Sequence, residues 1–421
     1  MMVSLGNLSA LVFSVICCSG FSAIMPLRMP LILAFIFFIS FSTVRRMKVQ
    51  ICRSPVFTFF SLLVAYLVFG LLYSYQKIET LKYVIVYLAG AAIILSPIKE
   101  KFYRKCIKYI ELLCRIVAGS ILVQILVPNL YSNYLYFLIR GGATAKRRLA
   151  GEVASHIYSG VVGEKGEAAF LMVVAIIIVL SRCVNERRVS RKNLMWLLVY
   201  FAALMLPAKR MLFAVGVLVV MIYVMLWTNG SKKMIAIGGV GALGALAYIV
   251  VSMTPAMNTL LLRFTSFSDD DTANGRIYLW EHALNMFKER KWLGYGYGTY
   301  NSYASERGVL LTKDGIWSSH AHNIYYQMLG EIGVIGTLLF ALVCIGSVYM
   351  LFRLYKIRNR ITDYDAGLLF IAMNMVVMTL VYGLTGNVIY YTNQIMFFFL
   401  GISICVHLYR KYVYFAIDSR Y

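Results

Sequence analysis

The chain has 421 residues, of which 61% are hydrophobic and 14% charged, and its mean hydropathy is +0.74. A soluble domain of this length cannot bury that much apolar side chain, so the composition excludes an ordinary soluble globular protein and indicates a polytopic membrane protein. The formal charge of +23 is scattered over many loops. It therefore argues against nucleic-acid binding and points to membrane topology and contact with anionic membrane lipids.

Apolar runs near the ~20 residues that cross a bilayer predict an all-α fold with twelve transmembrane helices. The first run has no basic residue before it and a second run follows directly, so we expect a retained helix rather than a cleaved signal peptide. The predicted spans are residues 5–24, 30–44, 55–75, 81–97, 108–128, 167–181, 194–208, 211–228, 234–254, 328–352, 366–384 and 394–409.

The distribution of Lys and Arg between the short loops predicts the orientation in the membrane. The loops at 45–54, 98–108, 182–193, 229–233 and 353–365, with the C-terminal tail, hold 23 such residues, whereas the short loops of the opposite side hold four. The basic side is therefore expected to be cytoplasmic. None of the eight cysteines lies in an outward loop and no CxxC pair occurs, so neither a disulfide framework nor a zinc site is indicated.

Two long segments face outward, and long loops are often functional. The predicted organisation is helices one to five at 1–128, a periplasmic loop at 129–166, helices six to nine at 167–254, a large periplasmic loop with an amphipathic helix at 255–323, and helices ten to twelve with a short cytoplasmic tail at 324–421.

The stretch MLPAKRML joins two predicted spans by a turn so short that Lys209 and Arg210 lie at the outer membrane surface. For a lone pair, snorkelling of basic side chains to the interface is the favoured explanation. The alternative is an anion site, since a helix that follows Arg210 adds its positive end to the guanidinium.

Arg147 and Arg148 lie in the first outward loop, next to the membrane. Non-specific contact with lipid headgroups is the favoured explanation for them, and a diphosphate clamp is the alternative.

The segment 269–303 opens with three aspartates and continues as an amphipathic pattern. Asp271 or Thr272 caps the predicted helix and Gly294 ends it. Arg276 then falls on the first turn, where the positive helix end disfavours a structural cation, so a phosphate ligand is an equal alternative. The aspartates lack the spacing of a calcium loop and are assigned to capping. The apolar positions of the helix are Ile277, Trp280, Ala283, Leu284 and Phe287.

The stretch GYGYGTY that follows is not a dinucleotide fingerprint, because its spacing is wrong and no strand precedes it. Its tyrosines and the next one are expected to anchor the chain at the membrane interface. Stacking of a sugar ring is the alternative, with Tyr297 as the candidate. The tyrosines concerned are Tyr295, Tyr297, Tyr300 and Tyr303.

The stretch SHAHNIYYQMLGEIGVIG, residues 319–336, places two of the five histidines where a polar loop becomes an apolar helix. His322 lies at the N-terminus of that helix, with Tyr326 one turn further on. A single histidine at a helix end is usually structural. Here a histidine, a carboxylate and outward arginines converge, which is typical of a site.

Glu331 lies one turn into the membrane-facing part of the same helix, on the face that carries Gln327. A carboxylate there needs a partner, so an ion pair with Arg210 and a direct part in catalysis are equal alternatives. Glycines recur every three residues along this helix and permit close approach of a neighbouring helix. They are Gly330, Gly333 and Gly336.

Arginines and a neutral histidine at an outer membrane surface suit a group transfer with a lipid-borne diphosphate as leaving group. The motifs AKR with Arg210, GRIYLWEHALNMF before GYGYG with Arg276, and HAHNIYYQMLGEIGVIG with His322 resemble the O-antigen ligase and polymerase superfamily of bacterial membrane glycosyltransferases. The resemblance covers about residues 200–350, and the third motif is its most specific part.

The resemblance implies a GT-C-type fold, a glycan on undecaprenyl diphosphate as donor, inversion at the anomeric centre, and neither a metal nor another cofactor. It makes Arg210 and Arg276 diphosphate ligands and His322 the base, with His320 as the alternative base. The substrate-binding candidates are Lys209, Arg147, Arg148, Glu331, Tyr297 and Tyr326.

The acceptor separates two functions within the superfamily. A polymerase, the favoured function, adds the growing chain to the next lipid-linked repeat unit, and a ligase moves it onto lipid A core oligosaccharide. Transfer onto protein is a distant third. The expected partners are the lipid-linked glycan, membrane lipids, a chain-length regulator and a flippase. A flippase or transporter is the alternative of a different class, but it would place charges along a midplane pathway.

Overall fold

A computed structural model describes residues 5–20, 24–44, 54–96, 98, 100–135, 150–151, 153–228, 230, 233, 271–307 and 320–414. Within these residues the regular secondary structure is helical and contains no strand. The helices are α1 (Leu5–Cys17), α2 (Arg28–Val44), α3 (Pro55–Tyr73), α4 (Lys77–Leu95), α5 (Glu100–Leu126), α6 (Lys165–Glu186), α7 (Arg191–Met205), α8 (Arg210–Trp227), α9 (Asp271–Glu289), α10 (Tyr300–Glu306), α11 (Ile324–Lys356), α12 (Asp363–Tyr382) and α13 (Thr392–Tyr409).

The chain is an all-α polytopic membrane protein, as its composition predicted. Eight of the described helices, namely α3 to α6, α8 and α11 to α13, are long and apolar enough to cross a membrane. The shorter α1, α2 and α7 lie at three further predicted spans. The predicted span at 234–254 lies outside the described residues.

One predicted loop is a helix instead. Residues 98–108 were assigned to a cytoplasmic loop because of their five basic residues, but α5 begins at Glu100. The basic side chains extend the helix beyond its apolar part, with Arg104 bonded to Glu100 one turn earlier at 2.9 Å. An (i, i+4) ion pair of this kind stabilises a helix in water, so the polar residues prolong α5 rather than end it.

The centre of the bundle is α6, which is buried along nearly its whole length. It packs against α5, α7, α8 and α12, and α12 packs in turn against α13. A helix that is apolar on all sides is stable only where neighbours surround it, as they do here. The start of α6, the end of α12 and the start of α11 lie together at what we call the outer end of the bundle. The end of α6 and the start of α12 form the inner end.

Helix α11 is broken at Gly333, whose φ of 61° lies in the left-handed region. The segment that follows α9 occupies the break, because the carbonyls of Lys291 and Trp292 accept the N–H groups of Val334 and Ile335 at 2.9 and 3.3 Å. The predicted close approach along the glycines is confirmed. A Cβ on Gly330 would lie 2.8 Å from the Ala283 carbonyl of α9, and one on Gly336 would lie 2.6 Å from the Tyr66 ring of α3.

The amphipathic helix predicted in the second outward loop is α9, which packs on the first half of α11. Three details of the prediction are wrong. The helix ends at Glu289, five residues before Gly294, and it begins at Asp271, so Arg276 stands on its second turn. The buried face is also displaced along the sequence, because Ile277 is 48% exposed. The buried positions are Leu279, Ala283 and Met286.

Candidate active site

His322 lies in a short turn at the outer end, immediately before α11. Its φ is 55°, a left-handed value that histidine adopts more often than most residues do. The turn is fixed on its C-terminal side, because the Asn323 side chain caps α11 by accepting the N–H groups of Tyr325 and Tyr326 at 3.0 and 3.2 Å. The N–H of Ile324 also donates to the Gly383 carbonyl at 2.9 Å. The imidazole is therefore held in a fixed position between α11 and α12.

The ring of His322 contacts Asn387 in the connection between α12 and α13. Asn387 Nδ2 lies 3.2 Å from His322 Nδ1, and Asn387 Oδ1 is buried without a hydrogen-bond partner among the described residues. Turning the amide over places Oδ1 against Nδ1 and satisfies both groups when Nδ1 carries the proton. His322 Nε2 is then unprotonated, which is the tautomer that a base requires.

The surroundings of His322 keep it neutral. Burial lowers its pKa to about 3, and the positive charges of Arg276 and Lys209 together with His320 act in the same direction. Desolvation and nearby cations both disfavour the imidazolium form. The sequence-predicted histidine, arginine and lysine therefore act on one another electrostatically, although they come from three separate parts of the chain.

The turn with Lys209 and Arg210 is as short as predicted. Arg210 is the first residue of α8 and Lys209 is its N-cap, so the guanidinium does stand at a helix N-terminus. Ala208, just before them, has a φ of 53°. The Lys209 side chain runs beside the start of α6, where a Cβ on Gly166 would lie 3.5 Å from Lys209 Cε. Both basic side chains are half-buried, which leaves part of each accessible from the outer end.

His320 is held differently from His322. Its ring stacks on Tyr390 with centroids 5.6 Å apart, and its Nδ1 lies 3.5 Å from Gln327 Nε2. Burial lowers the pKa of His320 to about 4. An imidazole enclosed by a tyrosine ring and an amide is suited to a packing role, whereas His322 has the cations beside it.

Glu331 is fully buried and organises the loop between α9 and α10. Its carboxylate accepts the N–H groups of Gly298 and Tyr300 at 2.8 and 2.9 Å, and Gln327 Nε2 donates to it at 3.0 Å. Gln327 in turn accepts the N–H of Ala321 at 3.0 Å. These backbone contacts take the place of the expected ion pair with Arg210. They also enclose the carboxylate, so the assignment of Glu331 as a substrate ligand is corrected to that of a loop anchor.

The tyrosines of this loop are core residues, so the expected interfacial anchors are wrong. All four are buried. Tyr297 is only 1% exposed, with Tyr390 stacked on its ring at 5.1 Å and the Tyr83 ring edge-on at 4.8 Å. A sugar cannot reach a ring enclosed in this way, so Tyr297 is not a stacking surface. Glu289 accepts the hydroxyls of Tyr295 and Tyr303, and these bonds lower the pKa of its carboxyl.

The remaining substrate-binding candidates divide into two groups. Tyr326 is partly exposed on the first turn of α11 and packs on Trp280 of α9, with ring centroids 5.6 Å apart. It remains available to a ligand at the outer end. Arg147 and Arg148 lie outside the described residues.

Three residues near the site were not identified as site candidates from the sequence. The sequence placed Asn387 in a short outward loop and gave it no role. Arg28 was counted only as a loop charge, yet it donates to Ser19 Oγ at 3.2 Å and its charge acts on Glu167 of α6. Glu167 is buried and accepts the amides of Asn393 and Gln394. Two sequence features could have identified Arg28 and Glu167. Arg28 is a lone arginine on the outward side, where positive charge is disfavoured, and Glu167 is a carboxylate at the edge of an apolar run.

Comparison with known families found one similarity. The family described as O-antigen ligase matches residues 194–341, about a third of the chain. This range contains the turn with Lys209 and Arg210, helix α9 with Arg276, and the turn with His322. The match supports the resemblance to the O-antigen ligase and polymerase superfamily. No curated protein matches it.

The match supports a membrane protein resembling a glycosyltransferase, of a family connected with lipopolysaccharide or surface-polysaccharide biosynthesis. It spans residues 194–341, so Arg28 and Glu167 lie before it and Asn387 lies after it.

Proposed function

We propose that the chain transfers a glycan from a polyprenyl diphosphate carrier to a sugar hydroxyl at the outer, periplasmic side of the bacterial inner membrane. The observation that carries the proposal is the electrostatic coupling of His322 to Arg276 and Lys209 beside the start of α8. A neutral base next to clustered cations is what the departure of a diphosphate from a sugar requires.

In the proposed reaction, His322 Nε2 takes the proton of the acceptor hydroxyl while the hydroxyl oxygen attacks the anomeric carbon. The bond from that carbon to the diphosphate oxygen breaks, and the diphosphate leaves with the bonding electron pair. Arg210, Arg276 and Lys209 stabilise the charge that grows on the leaving group. Attack opposite the leaving group inverts the anomeric centre, and the proton on His322 passes to solvent or to the diphosphate.

The low pKa of His322 accords with this scheme. A bound diphosphate places negative charge beside the same cations and opposes their effect on the imidazole. The pKa of His322 therefore rises when the donor binds, so the base gains strength only in the presence of substrate. A site of this design keeps the histidine neutral before the donor arrives.

The acceptor that we propose is the next lipid-linked repeat unit, which makes the chain a surface-polysaccharide polymerase. A second candidate is transfer to lipid A core oligosaccharide, because the matching family is described as O-antigen ligase. Surface polysaccharide from a deletion strain distinguishes them. Core with a single repeat indicates a polymerase, whereas bare core with polymer retained on the carrier indicates a ligase.

The test of the reaction uses the purified full chain in detergent micelles with a synthetic lipid-linked repeat unit. We expect His322→Ala to lower the release of polyprenyl diphosphate by roughly 10²- to 10⁴-fold, the usual contribution of a positioned base, with donor binding retained. His156→Ala is the matched control, because His156 is an exposed histidine. Full activity in His322→Ala would exclude the proposed base.

The diphosphate ligands are tested separately by donor binding. Arg210→Ala and Arg276→Ala should each weaken affinity for the diphosphate-linked glycan, since each removes a charge-assisted contact. Lys77→Ala, which removes an exposed cation at the start of α4, should leave that affinity unchanged. Unchanged affinity in both arginine variants would remove the diphosphate clamp. A flippase would bind the donor and release no polyprenyl diphosphate.

A further inference from the structure

A second basic site lies at the inner end of the bundle, away from His322. A cavity of about 160 Å³ opens there between α5, α6 and α12. Helices α5 and α12 both pack on α6, so the end of α6 forms the floor and the other two helices form the walls. Its polar lining includes Arg104 and Lys108 of α5 with Arg182 of α6, and Leu368 and Ile371 of α12 supply apolar wall.

The charge of the cavity is positive. Three cationic side chains and one carboxylate, Glu111, line it. Arg104 is paired with Glu100 at 2.9 Å, so Lys108 and Arg182 face Glu111 with an excess of one positive charge. Glu111 is already shared, because Arg182 Nη2 lies 2.7 Å from its Oε1 and Arg115 is bonded to the same oxygen. One carboxylate between two guanidiniums cannot neutralise both. Lys108 is exposed at the rim and forms no salt bridge within the part of the chain that the structure describes.

Polar atoms in the cavity also lack hydrogen-bond partners. Arg182 Nε is buried and has no acceptor among the described residues, although its guanidinium touches Glu111. Asn185 Oδ1, on the next turn of α6, is likewise buried without a donor. A buried guanidinium N–H without an acceptor is costly, and such orphan groups commonly mark the place of a ligand.

The shape and chemistry together specify the ligand. Arginine forks match the oxygens of a phosphate, and a basic pocket between transmembrane helices at the cytoplasmic side is suited to an anionic headgroup. Leu368 and Ile371, which belong to the membrane-spanning helix α12, supply apolar lining beside the basic part. A phosphate carried on an apolar tail therefore has contacts for both of its parts.

We propose that this inner cavity binds the phosphate group of an anionic phospholipid from the leaflet at the inner end. The bound phosphate accepts from Arg182 and Lys108 and joins α5, α6 and α12. The site is separate from the glycan-transfer site at the outer end, so it stands or fails independently of the proposed function.

The test compares lipids retained by the purified full chain in non-ionic detergent, counted by native mass spectrometry. We expect phosphatidylglycerol to be retained in preference to phosphatidylcholine. Lys108→Gln should reduce that retention roughly fivefold, and Arg182→Gln roughly tenfold, as loss of one surface cation and one charged hydrogen bond predicts. Arg188→Gln is the matched control, because Arg188 is an exposed cation of the inner end outside the cavity.

Comparison of the two variants separates a loss of lipid binding from a loss of folding. Arg182→Gln also breaks the contact with Glu111, whereas Lys108→Gln changes only an exposed side chain, so it should leave the melting temperature without lipid unchanged. Displacement of phosphatidylglycerol by inorganic phosphate would support the phosphate chemistry, whereas retention of inorganic phosphate without any lipid would overturn the phospholipid as occupant. Equal retention of phosphatidylglycerol and phosphatidylcholine, or equal loss in Arg188→Gln and Lys108→Gln, would overturn the proposal.

Discussion

The outer and inner ends of the bundle satisfy their buried carboxylates in different ways. At the outer end, Glu331 accepts backbone N–H groups, and Glu167 accepts the amides of Asn393 and Gln394. At the inner end, Glu111 contacts two arginines, and the buried Asp365 contacts Lys411 at 2.7 Å. One end is organised by amide donors and the other by ion pairs.

The difference matters for the chemistry at each end. Amides satisfy a carboxylate without a second ionic group, and their geometry is set by the chain rather than by charge. The outer end therefore holds its buried carboxylates, and through Glu331 the loop that carries Tyr297, with amide donors. At the inner end the charges themselves are structural, so that end should respond more to salt concentration.

The largest effect is expected from removal of the outer loop anchor. Glu331→Ala leaves the buried N–H groups of Gly298 and Tyr300 without an acceptor and opens a cavity, which should cost at least about 3 kcal/mol of stability. Thermal unfolding in micelles measures this loss of stability. Glu281→Ala, which truncates an exposed glutamate on α9, should have little effect. Equal melting temperatures for the two variants would show that amide donors do not organise the outer end.

A smaller effect, on activity alone, is expected at Asn387. Asn387→Ala removes the acceptor that holds His322 Nδ1–H and should lower turnover roughly ten- to a hundredfold, as loss of an orienting partner does. Asn387→Asp keeps the acceptor and should restore turnover, while its negative charge raises the pKa of His322. Asn359→Ala, at the exposed inner end, is the control. Failure of Asn387→Asp to restore any turnover would exclude the orienting role.

The pH dependence tests the cations of the outer end. His322 acts as a base only when neutral, so activity is lost as pH falls through its pKa, which burial, Arg276 and Lys209 hold at about 3. We expect kcat/KM, which reports the free enzyme, to show no histidine limb between pH 5 and 8. Lys209→Gln removes one cation, raises the pKa and should move the acidic limb upward by as much as about one pH unit. Lys77→Gln should not move it, and an unmoved limb in Lys209→Gln would show that Lys209 does not act on the base.

Much of the fold could be predicted from the sequence because membrane length is a strong constraint. All eleven predicted spans that fall on described residues coincide with helices. The errors lie where a polar helix continues beyond the apolar core. Residues 100–108 of α5 are helical through pairs such as Arg104 with Glu100, and hydropathy does not detect such pairs. The burial of the tyrosines in the outer loop could not be predicted from the sequence either, because tyrosines are as common at interfaces as in small cores.

The site could be predicted in part because its charged members stand out in apolar sequence. The histidine, the arginines and the lysine were found by their position at helix ends on the outward side, and the structure couples His322 to Arg276 and Lys209. The sequence could not show that Asn387 reaches His322 across 65 residues of chain, because that contact depends on how α12 and α13 pack. For the same reason Glu331 was assigned to the substrate, since no local pattern reveals which backbone groups a buried carboxylate meets.

The smallest effect is expected from the exposed ion pair of the inner end. Arg187 donates to Asp363 Oδ1 at 2.9 and 2.6 Å, but both side chains are more than half exposed. Such a pair contributes only about 0.5 kcal/mol, and salt screens it. Asp363 is also the first residue of α12, where a negative charge favours the helix. Asp363→Asn should therefore cost slightly more than Arg187→Gln in thermal unfolding at low salt. Both losses of stability should shrink at 1 M salt, whereas the loss of stability in Glu331→Ala should not. Losses of stability that are equal for all three variants and independent of salt would remove the distinction between the two ends.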